Sequence, residues 1–548
     1  MFIRTKKRGQ RTYLQIVENF REGKKVRQIV KATLGRLDIL QSTGQLDALL
    51  RSGLRFAKKL IVLDAHFQGE CTTTHTKRIG PVILFEKLWN ECHIGSILKT
   101  FLSQRKFSIP LERIIFTTVL SRLVNPGSDR STHRWIQNYA LSGMKDVELH
   151  HYYRTMAWLG ETVSTGSKRP FGKNKVELCR KDLVEEALFD INKDLFSQVE
   201  LVFFDTTSLY FEGNGGETIG QRGNSKDHRP DLKQMIVGIV LDNNGNPICS
   251  EFLPGNTADV TTLIPVAKRL QERFGISQIC IVADRGMISE KTMQKLQDME
   301  WHYILGARLR RVKEINDEVI SKGGRYQEVR PPHVKSTDPA PLKVKEIKHN
   351  GSRYIICLNE DESRKCKYDR EAIVAILKDK LKQDDKALVG NKGYRKYLKS
   401  SGKAFEIDQE KLKKESRFDG KYVLMTNTEL PSAEVALQYK QLWTVEAIFR
   451  TMKSTFETRP IFHHCDETIR GHVFCSFLAL LLRKKLQDKL EEKGYDIEWE
   501  HLIEDVDSLQ EVGVVHKEQE FIIRTETKGV AGKVFKTIGV ALPPILRN

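Results

Sequence analysis

The sequence has no run of 18 or more apolar residues, and its longest apolar stretch, Val473 to Leu482, is too short to span a bilayer. Its first ten residues, Met1 to Gln10, are charged from the start and lack the apolar core of a signal peptide. Paired cysteines are missing too. The nine cysteines lie scattered between Cys71 and Cys475 without a C-x-x-C pair, so neither a zinc ribbon nor a thiol-redox motif is readable. His463, His464 and Cys465 adjoin, but neighbouring residues rarely point at one ion, and the triplet is not read as a metal site. What the chain is shortest of is acid: 71 Asp and Glu stand against 90 Lys and Arg, a net charge of +19. These shortfalls predict a soluble, cytoplasmic protein with reduced cysteines and no membrane partner. The basic excess calls for a polyanion, of which nucleic acid is the commonest.

What is present is ample for folding. Forty per cent hydrophobic residues excludes a disordered chain, and 548 residues suggest about three or four domains. Residues 1–60 carry 15 Lys and Arg against four acids, a net +11, more than half of the total excess. Thr12 to Val17 and Lys25 to Thr33 read as strands around Arg21-Glu22-Gly23, so this segment is expected to be a basic β element that contacts DNA. Residues 81–195 read as a helical domain: Val82, Leu84, Phe85, Leu88 and Trp89 recur at helical spacing, as do Leu111, Ile114, Ile115, Val119, Leu120 and Leu123. Asn125-Pro126-Gly127 ends that second helix.

The order of elements from residue 196 to 307 carries the argument. Val199 to Phe204 is an apolar strand, closed by Asp205 and the small polar residues Thr206, Thr207 and Ser208. Gln234 to Leu241 turns at Asn244-Gly245 into Pro247 to Leu253. An amphipathic helix from Asp259 to Phe274, with Asp259 or Asn256 as its cap, leads to the strand Gln278 to Ala283, which ends in Asp284-Arg285-Gly286. A strand reached through a helix is placed to lie parallel to, and beside, the first. Two strands so arranged bring Asp205 and Asp284 together. The strand Trp301 to Ala307 is followed by an inserted, mostly β subdomain over 308–431. Residues 432–490 return to the core with a helix from Ser432 to Thr455 that carries Glu446, and 491–548 form a C-terminal region.

Three carboxylates suit one task. Mg²⁺ prefers carboxylate oxygens and keeps its remaining positions for water and phosphate. Two such ions about 3.5–4 Å apart hold the attacking and leaving oxygens of an in-line phosphoryl displacement. On a straight helix Tyr439, Glu446 and Lys453 fall within about 40° of each other, and Arg450 lies close to that face. An acid at a strand end, taken alone, is more often a turn residue or a helix cap. A Glu and a Lys, taken alone, are more often an ordinary salt-bridged pair.

With these residues the chain resembles the ribonuclease-H-like DDE transposases of bacterial insertion sequences, in particular insertion-sequence family four. That family places Asp on its first strand, Asp after its fourth and Glu on a helix beyond a β insertion. The intervals here, 79 residues from Asp205 to Asp284 and 162 from Asp284 to Glu446, fit that plan. The family's tyrosine–arginine–glutamate–lysine helix motif matches Tyr439, Glu446 and Lys453 but meets Leu442 where arginine is expected, leaving Arg450 or Lys440 to replace it. The segment Ser225 to Gln234 also looks like a motif of one branch.

The resemblance implies an α/β chain: a ribonuclease-H-like mixed sheet with flanking helices and a mostly β insertion, joined by a basic β element and an all-α domain. It implies Asp205, Asp284 and Glu446 as catalytic metal ligands for two Mg²⁺ ions, with Mn²⁺ able to substitute. Tyr439, Arg450, Lys453, Lys226, His228, Arg229 and Lys233 would hold double-stranded DNA, at element ends and at the target. A homodimer assembled on DNA and a nucleoid-associated bacterial or archaeal setting follow from the same resemblance. In the family, water cuts the element end and the freed 3′ hydroxyl then attacks target DNA, with no covalent protein–DNA intermediate. Two other readings stay open at this point: a ribonuclease-H-like structure-specific nuclease, and a non-catalytic DNA-binding protein on a transposase scaffold.

Overall fold

The computed structural model describes residues 1–22, 25–54, 72–163, 178–191, 201–276, 279–307, 318–330, 342–383, 396–401, 404–516 and 519–547. The expected turn residue Gly23, the strand starts at Val199 and Gln278, and the opening of the insertion at Arg308 lie outside them. The chain divides into two compact units, one built from 1–83, 138–140 and 497–548 and the other from 84–137 and 141–496.

The first unit opens with Phe2–Arg8 (β1), Arg11–Glu22 (β2) and Lys25–Arg36 (β3), an antiparallel sheet in the order β1-β2-β3. β1 is absent from the sequence expectation because Arg4, Lys6, Lys7 and Arg8 crowd it. Gly9, at φ 57°, makes the tight turn that pairs Arg8 with Arg11. Thr72–Arg78 (β4) follows the helices Leu37–Ser42 and Gln45–Leu54.

The helices Gly80–Glu91, Ile94–Leu102, Leu111–Val124, Asp129–Trp135, Leu149–Gly160 and Arg180–Ile191 follow in sequence. Leu111–Val124 stops at Asn125 because Pro126 removes a donor and disfavours helical geometry before it. This helix is buried on nearly every side, including Glu112, which accepts the Trp89 indole N–H at 2.8 Å. The reason is the long helix Asp466–Glu491, which contains the apolar stretch Val473 to Leu482 and packs against both Leu111–Val124 and Leu149–Gly160. A Cβ on Gly160 would collide with the Glu467 carbonyl, and one on Gly471 with the Met156 carbonyl. Glycine at both positions lets the two backbones meet.

The second unit is organised by a nine-stranded sheet. Leu201–Tyr210 (β5), Gln234–Leu241 (β6) and Pro247–Pro254 (β7) are antiparallel neighbours, while Cys280–Ala283 (β8) and His302–Gly306 (β9) continue parallel to β5 on its other side. The parallel neighbours β5 and β8 are those expected from the order of elements, and the mixed sheet has the ribonuclease-H-like plan that the resemblance implies. Its strands are apolar on both faces because helices cover them. Phe204, Ile236, Leu263, Leu270, Ile281 and Phe189 share one core cluster on the side of Leu263–Phe274 and Arg180–Ile191.

Those two helices also bury a charge network. Arg273 meets Glu185 at 2.9 Å and Glu186 at 2.8 Å, and Arg269 meets Glu251 of β7 at 2.7 Å. Lys181 bridges Asp182 at 2.8 Å and the Ser250 carbonyl at 2.7 Å. Buried charges persist only where each is paired in this way.

The insertion contributes Gln327–Val329 (β10), Leu342–His349 (β11), Ser352–Asn359 (β12), the small hairpin Leu398–Ser401 (β13) and Ala404–Ile407 (β14), and Lys421–Thr426 (β15). β10, β11, β12 and β15 extend the main sheet beyond β9, giving the order β10-β11-β12-β15-β9-β8-β5-β6-β7. A lysine-rich helix, the 24-residue Glu360–Gln383, follows β12.

At the end of the chain, Gln510–His516 (β16), Gln519–Arg524 (β17) and Leu546–Arg547 (β18) join β4 in a sheet of order β18-β17-β16-β4 within the first unit. No helix among the described residues is long and apolar enough to cross a membrane.

Candidate active site

Phe204 of β5 pairs in parallel register with Ala283 of β8, so Asp205 and Asp284 are the next residues on adjacent strands. The buried runs Val202-Phe203-Phe204 and Ile281-Val282-Ala283 fix that register. Asp284 follows the last residue of β8, as expected. Asp205 does not close its strand: β5 runs on to Tyr210, and Asp205 lies halfway along it, opposite Ile239. Thr206, Thr207 and Ser208 resemble a turn by composition, yet they are buried in the sheet, where the hydroxyls of Thr206 and Ser208 find partners. The Thr206 hydroxyl donates to Asp259 at 2.7 Å, and the Ser208 hydroxyl accepts from the Lys226 N–H at 2.9 Å.

Asp259 is likewise not the cap expected of it. The helix begins later, at Leu263 after Thr262, and no side chain caps it. The Asp259 carboxylate reaches instead for Thr206 and for the Lys226 ammonium at 3.1 Å.

The helix expected over 432–455 is two α-helices and a π-turn. Ser432–Lys440 ends where the Gln441 N–H is shared between the Leu437 and Gln438 carbonyls, Leu442–Arg450 follows, and Thr451–Thr455 is π-helical. Leu442, Val445 and Phe449 are buried at helical spacing, which turns Glu446 outward and leaves it exposed. Asp205, Asp284, Glu446, Tyr439 and Leu442 line one cleft of about 900 Å³.

Electrostatics act strongly on Asp205. Burial pushes the Asp205 carboxyl up to about 6; the Lys226 charge and the Thr206 N–H, 2.7 Å from Oδ1, pull it back, while Asp284 and Asp259 push it further up. Lys226 is anchored on the Thr206 carbonyl at 2.7 Å and its hydroxyl at 2.9 Å. The Tyr439 hydroxyl donates to Asp284 Oδ1 at 3.1 Å, and burial and that carboxylate both raise its pKa. Gly306, at the end of β9, is the close approach that makes this bond possible, because any Cβ there would meet the Tyr439 hydroxyl.

The remaining residues proposed from sequence divide. Lys453, two turns beyond Glu446, does not line the cleft. The π-turn directs it to Asp227 at 2.7 Å, where Arg459 joins at 2.8 Å, and burial lowers its pKa. Arg450 is exposed outside the cleft lining. His228 is exposed with φ 57°. Arg229 pairs with Asp231 at 2.9 Å and lies over the Tyr210 ring, and Lys233 is half-buried at the entry to β6.

A family model described as Transposase DDE domain matches residues 198–482, more than half of the chain, and one described as IS1634 family transposase, N-terminal domain, matches residues 3–65. The chain belongs to the DDE transposases of insertion sequences. It is therefore a DNA transposase, an enzyme that cuts DNA and transfers strands. Among solved structures, the piggyBac transposase synaptic complex with hairpin DNA aligns at 10% identity and a TM-score of 0.34, covering 78% of this chain and 79% of that one. The Mos1 transposase paired-end complex with the left transposon end aligns at 14% identity and a TM-score of 0.15, covering 36% of this chain and 60% of that one. No curated protein matches the chain.

DDE transposases depend on a divalent metal, and the donor set of this transposase fits one. Three carboxylates offer hard oxygen donors of the kind a divalent ion takes, and burial is the main reason the Asp205 carboxyl is raised to about 6. Sequence reasoning passed over four cleft residues: Arg285, Lys421, Tyr422 and Trp443. Arg285 and Trp443 carried a local signal, one beside Asp284 and the other one turn before Glu446. Lys421 and Tyr422 carried none, since only the pairing of β15 with β9 brings them there.

Proposed function

We propose that Asp205, Asp284 and Glu446 hold two Mg²⁺ ions at the scissile phosphate of double-stranded DNA, with Mn²⁺ able to replace them. The observation that carries this reading is the adjacency of Asp205 and Asp284 on parallel strands in the cleft that Glu446 completes. Bound there, the ions supply Lewis-acid stabilisation to the attacking and leaving oxygens.

The side chains do the rest. Tyr439 fixes the rotamer of Asp284 by donating to one oxygen and leaving the other free for a ligand. Lys226, held by Thr206 and Asp259, keeps positive charge behind Asp205. Lys421, Arg285 and Lys440 give the cleft cationic walls for the DNA backbone, and Trp443, 58% exposed, offers a ring face to it. Arg450, His228, Arg229 and Lys233 extend DNA contact beyond the cleft.

In the first step a water oxygen bonds to phosphorus as the 3′ oxygen of the element end leaves and takes up a proton. In the second, that 3′ hydroxyl bonds to a target phosphorus and loses its proton, while the target's own 3′ oxygen leaves. Each step exchanges one phosphoester bond for another oxygen–phosphorus bond. Each chain brings one set of acids and an element has two ends, which favours a homodimer assembled on paired ends. The setting is cytoplasmic, on the nucleoid of a bacterium or archaeon.

The test uses a labelled element-end duplex and a supercoiled target with Mg²⁺. Cleavage and joined product are expected from the wild type. Asp205→Asn, Asp284→Asn and Glu446→Gln should each abolish both while retaining end binding. Cleavage without joining would reduce the protein to a nuclease, and cleavage by any of the three variants would remove that residue from the assignment.

A further inference from the structure

A second constellation lies away from the three acids. Asp129 opens the helix Asp129–Trp135, His472 sits in the second turn of Asp466–Glu491, and His463 lies between that helix and the one bearing Glu446. One donor atom from each falls within 4.8 Å of the others. His463 Nε2 stands 3.3 Å from Asp129 Oδ2 and 3.3 Å from His472 Nδ1. Ligand atoms about 2.0–2.1 Å from a tetrahedral ion stand about 3.3–3.4 Å apart, because a tetrahedral edge is about 1.63 times the bond length. Two of the three separations already have that value, at the long end of the hydrogen-bond range.

The surroundings are those of a prepared site. His472 Nε2 is 3.2 Å from the Thr458 carbonyl, so a proton there leaves the Nδ1 lone pair facing the cluster, the tautomer that a ligand needs. The Asp129 side chain is 4% exposed and that of His463 11%. All three line a cavity of about 520 Å³, which gives an ion an entry path and a fourth position. The Arg122 guanidinium also approaches, with Nη2 3.0 Å from His472 Nδ1, but its Nη1 is held by the carbonyls of Gly127 at 3.1 Å and Phe456 at 3.3 Å. A cation in the cluster displaces the Nη2 contacts with the His472 ring, at 3.0 Å from Nδ1 and 3.2 Å from Nε2, and Asp129 and Glu457 reduce the combined charge.

We propose that Asp129, His463 and His472 bind a structural Zn²⁺ ion, separate from the catalytic cleft. Two imidazoles and one carboxylate favour zinc over Mg²⁺, which takes oxygen ligands. The ion fastens the stretch leaving the Glu446 helix to two helices of the core. That stretch also holds the end of the Asp205 strand, since the Ile461 N–H donates to the Tyr210 carbonyl at 3.1 Å and the Glu212 N–H to the Ile461 carbonyl at 3.0 Å. The ion thereby steadies two of the three acids without touching them.

The test loads chelator-stripped full-length protein with Co²⁺ or Zn²⁺ and follows visible d–d absorption, metal content after gel filtration and thermal unfolding. The wild type, Asp205→Asn and His464→Ala should develop the intense absorption of tetrahedral cobalt. Asp129→Asn and His463→Ala should lack it and retain one Zn²⁺ fewer per chain. Saturating Zn²⁺ should raise the Tm of the first group by roughly 5 °C and leave that of the second unmoved. Near-ultraviolet circular dichroism establishes that the variants fold, and Asp129→Asn, nearly isosteric, carries the test if His463→Ala does not. Absence of the absorption from the wild type, its persistence in both ligand variants, or its loss in Asp205→Asn would each overturn the site.

Discussion

Lys453 donates to Asp227 across 2.7 Å, and Arg459 meets the same carboxylate oxygen at 2.8 Å. The lysine placed from sequence at a DNA phosphate therefore serves a carboxylate whose side chain is only 4% exposed. Lys453→Ala should cost about 1–3 kcal/mol of stability, less than breaking a fully buried pair because Arg459 remains. Adding Asp227→Asn should recover much of that loss. A denaturant double-mutant cycle measures the coupling, and strictly additive losses would return Lys453 to a DNA-only role.

The raised pKa of Asp205 makes a prediction with a definite sign. Its folded value, about 6, lies above the ordinary value of 3.8, so the folded, metal-free protein binds the proton more tightly than the unfolded chain. The associated stability is complete below about pH 4 and is lost as pH rises through about 6. Metal-free Asp205→Asn should accordingly be more stable than wild type at pH 7.5, by about 1–3 kcal/mol, with the difference vanishing near pH 4. Mg²⁺ should stabilise the wild type and not the variant. Chemical unfolding at both pH values, with and without Mg²⁺, decides the matter; equal stability at pH 7.5 would contradict it.

Gly306 and Tyr439 make a third case. Gly306→Ala places a methyl group where the Tyr439 hydroxyl sits and should break its bond to Asp284. Cleavage should fall at least about tenfold, as expected for a mispositioned ligand, while Tyr439→Phe should give a similar loss without the steric change. Single-turnover cleavage by the two variants, measured with a Mg²⁺ titration, is the comparison; wild-type rates in both would remove Tyr439 from the site.

The basic first strand offers a fourth. Lys6, Lys7 and Arg8 are exposed on β1. Replacing all three with Gln should weaken end binding and flatten the dependence of log affinity on log salt by up to about 2.7, at about 0.9 for each phosphate no longer neutralised. An unchanged slope in a binding titration would mark the strand as a solvated face.

Legibility followed chemistry that repeats locally. The apolar run before Asp284, broken at once by Arg285-Gly286, fixes a strand and its end, and the β6-β7 hairpin follows from the Asn244-Gly245 turn. The continuation of β5 past Asp205 does not follow, because Thr206, Thr207 and Ser208 look like a turn until Asp259 and Lys226, brought in by tertiary packing, satisfy the hydroxyls of Thr206 and Ser208. The stripe of Tyr439, Glu446 and Lys453 assumed an unbroken helix, and neither the tightened turn at Gln441 nor the π-turn after Arg450 has a Gly or Pro to announce it. The adjacency of Asp129 to His463 and His472 spans more than 300 residues and leaves no local pattern at all.

The interposition of β15 between β12 and β9 has a bearing on how the protein is made. Synthesis delivers Asp205 and Asp284 early, but β9 remains an open sheet edge until Lys421–Thr426 has emerged, and Glu446 follows only after that. A ribosome that stalls anywhere in the 162-residue interval after Asp284 releases a product with two acids and no third. Such a fragment carries two of the three proposed ligands, and where it ends before Lys421 the edge of β9 stays unpaired, a template for aggregation.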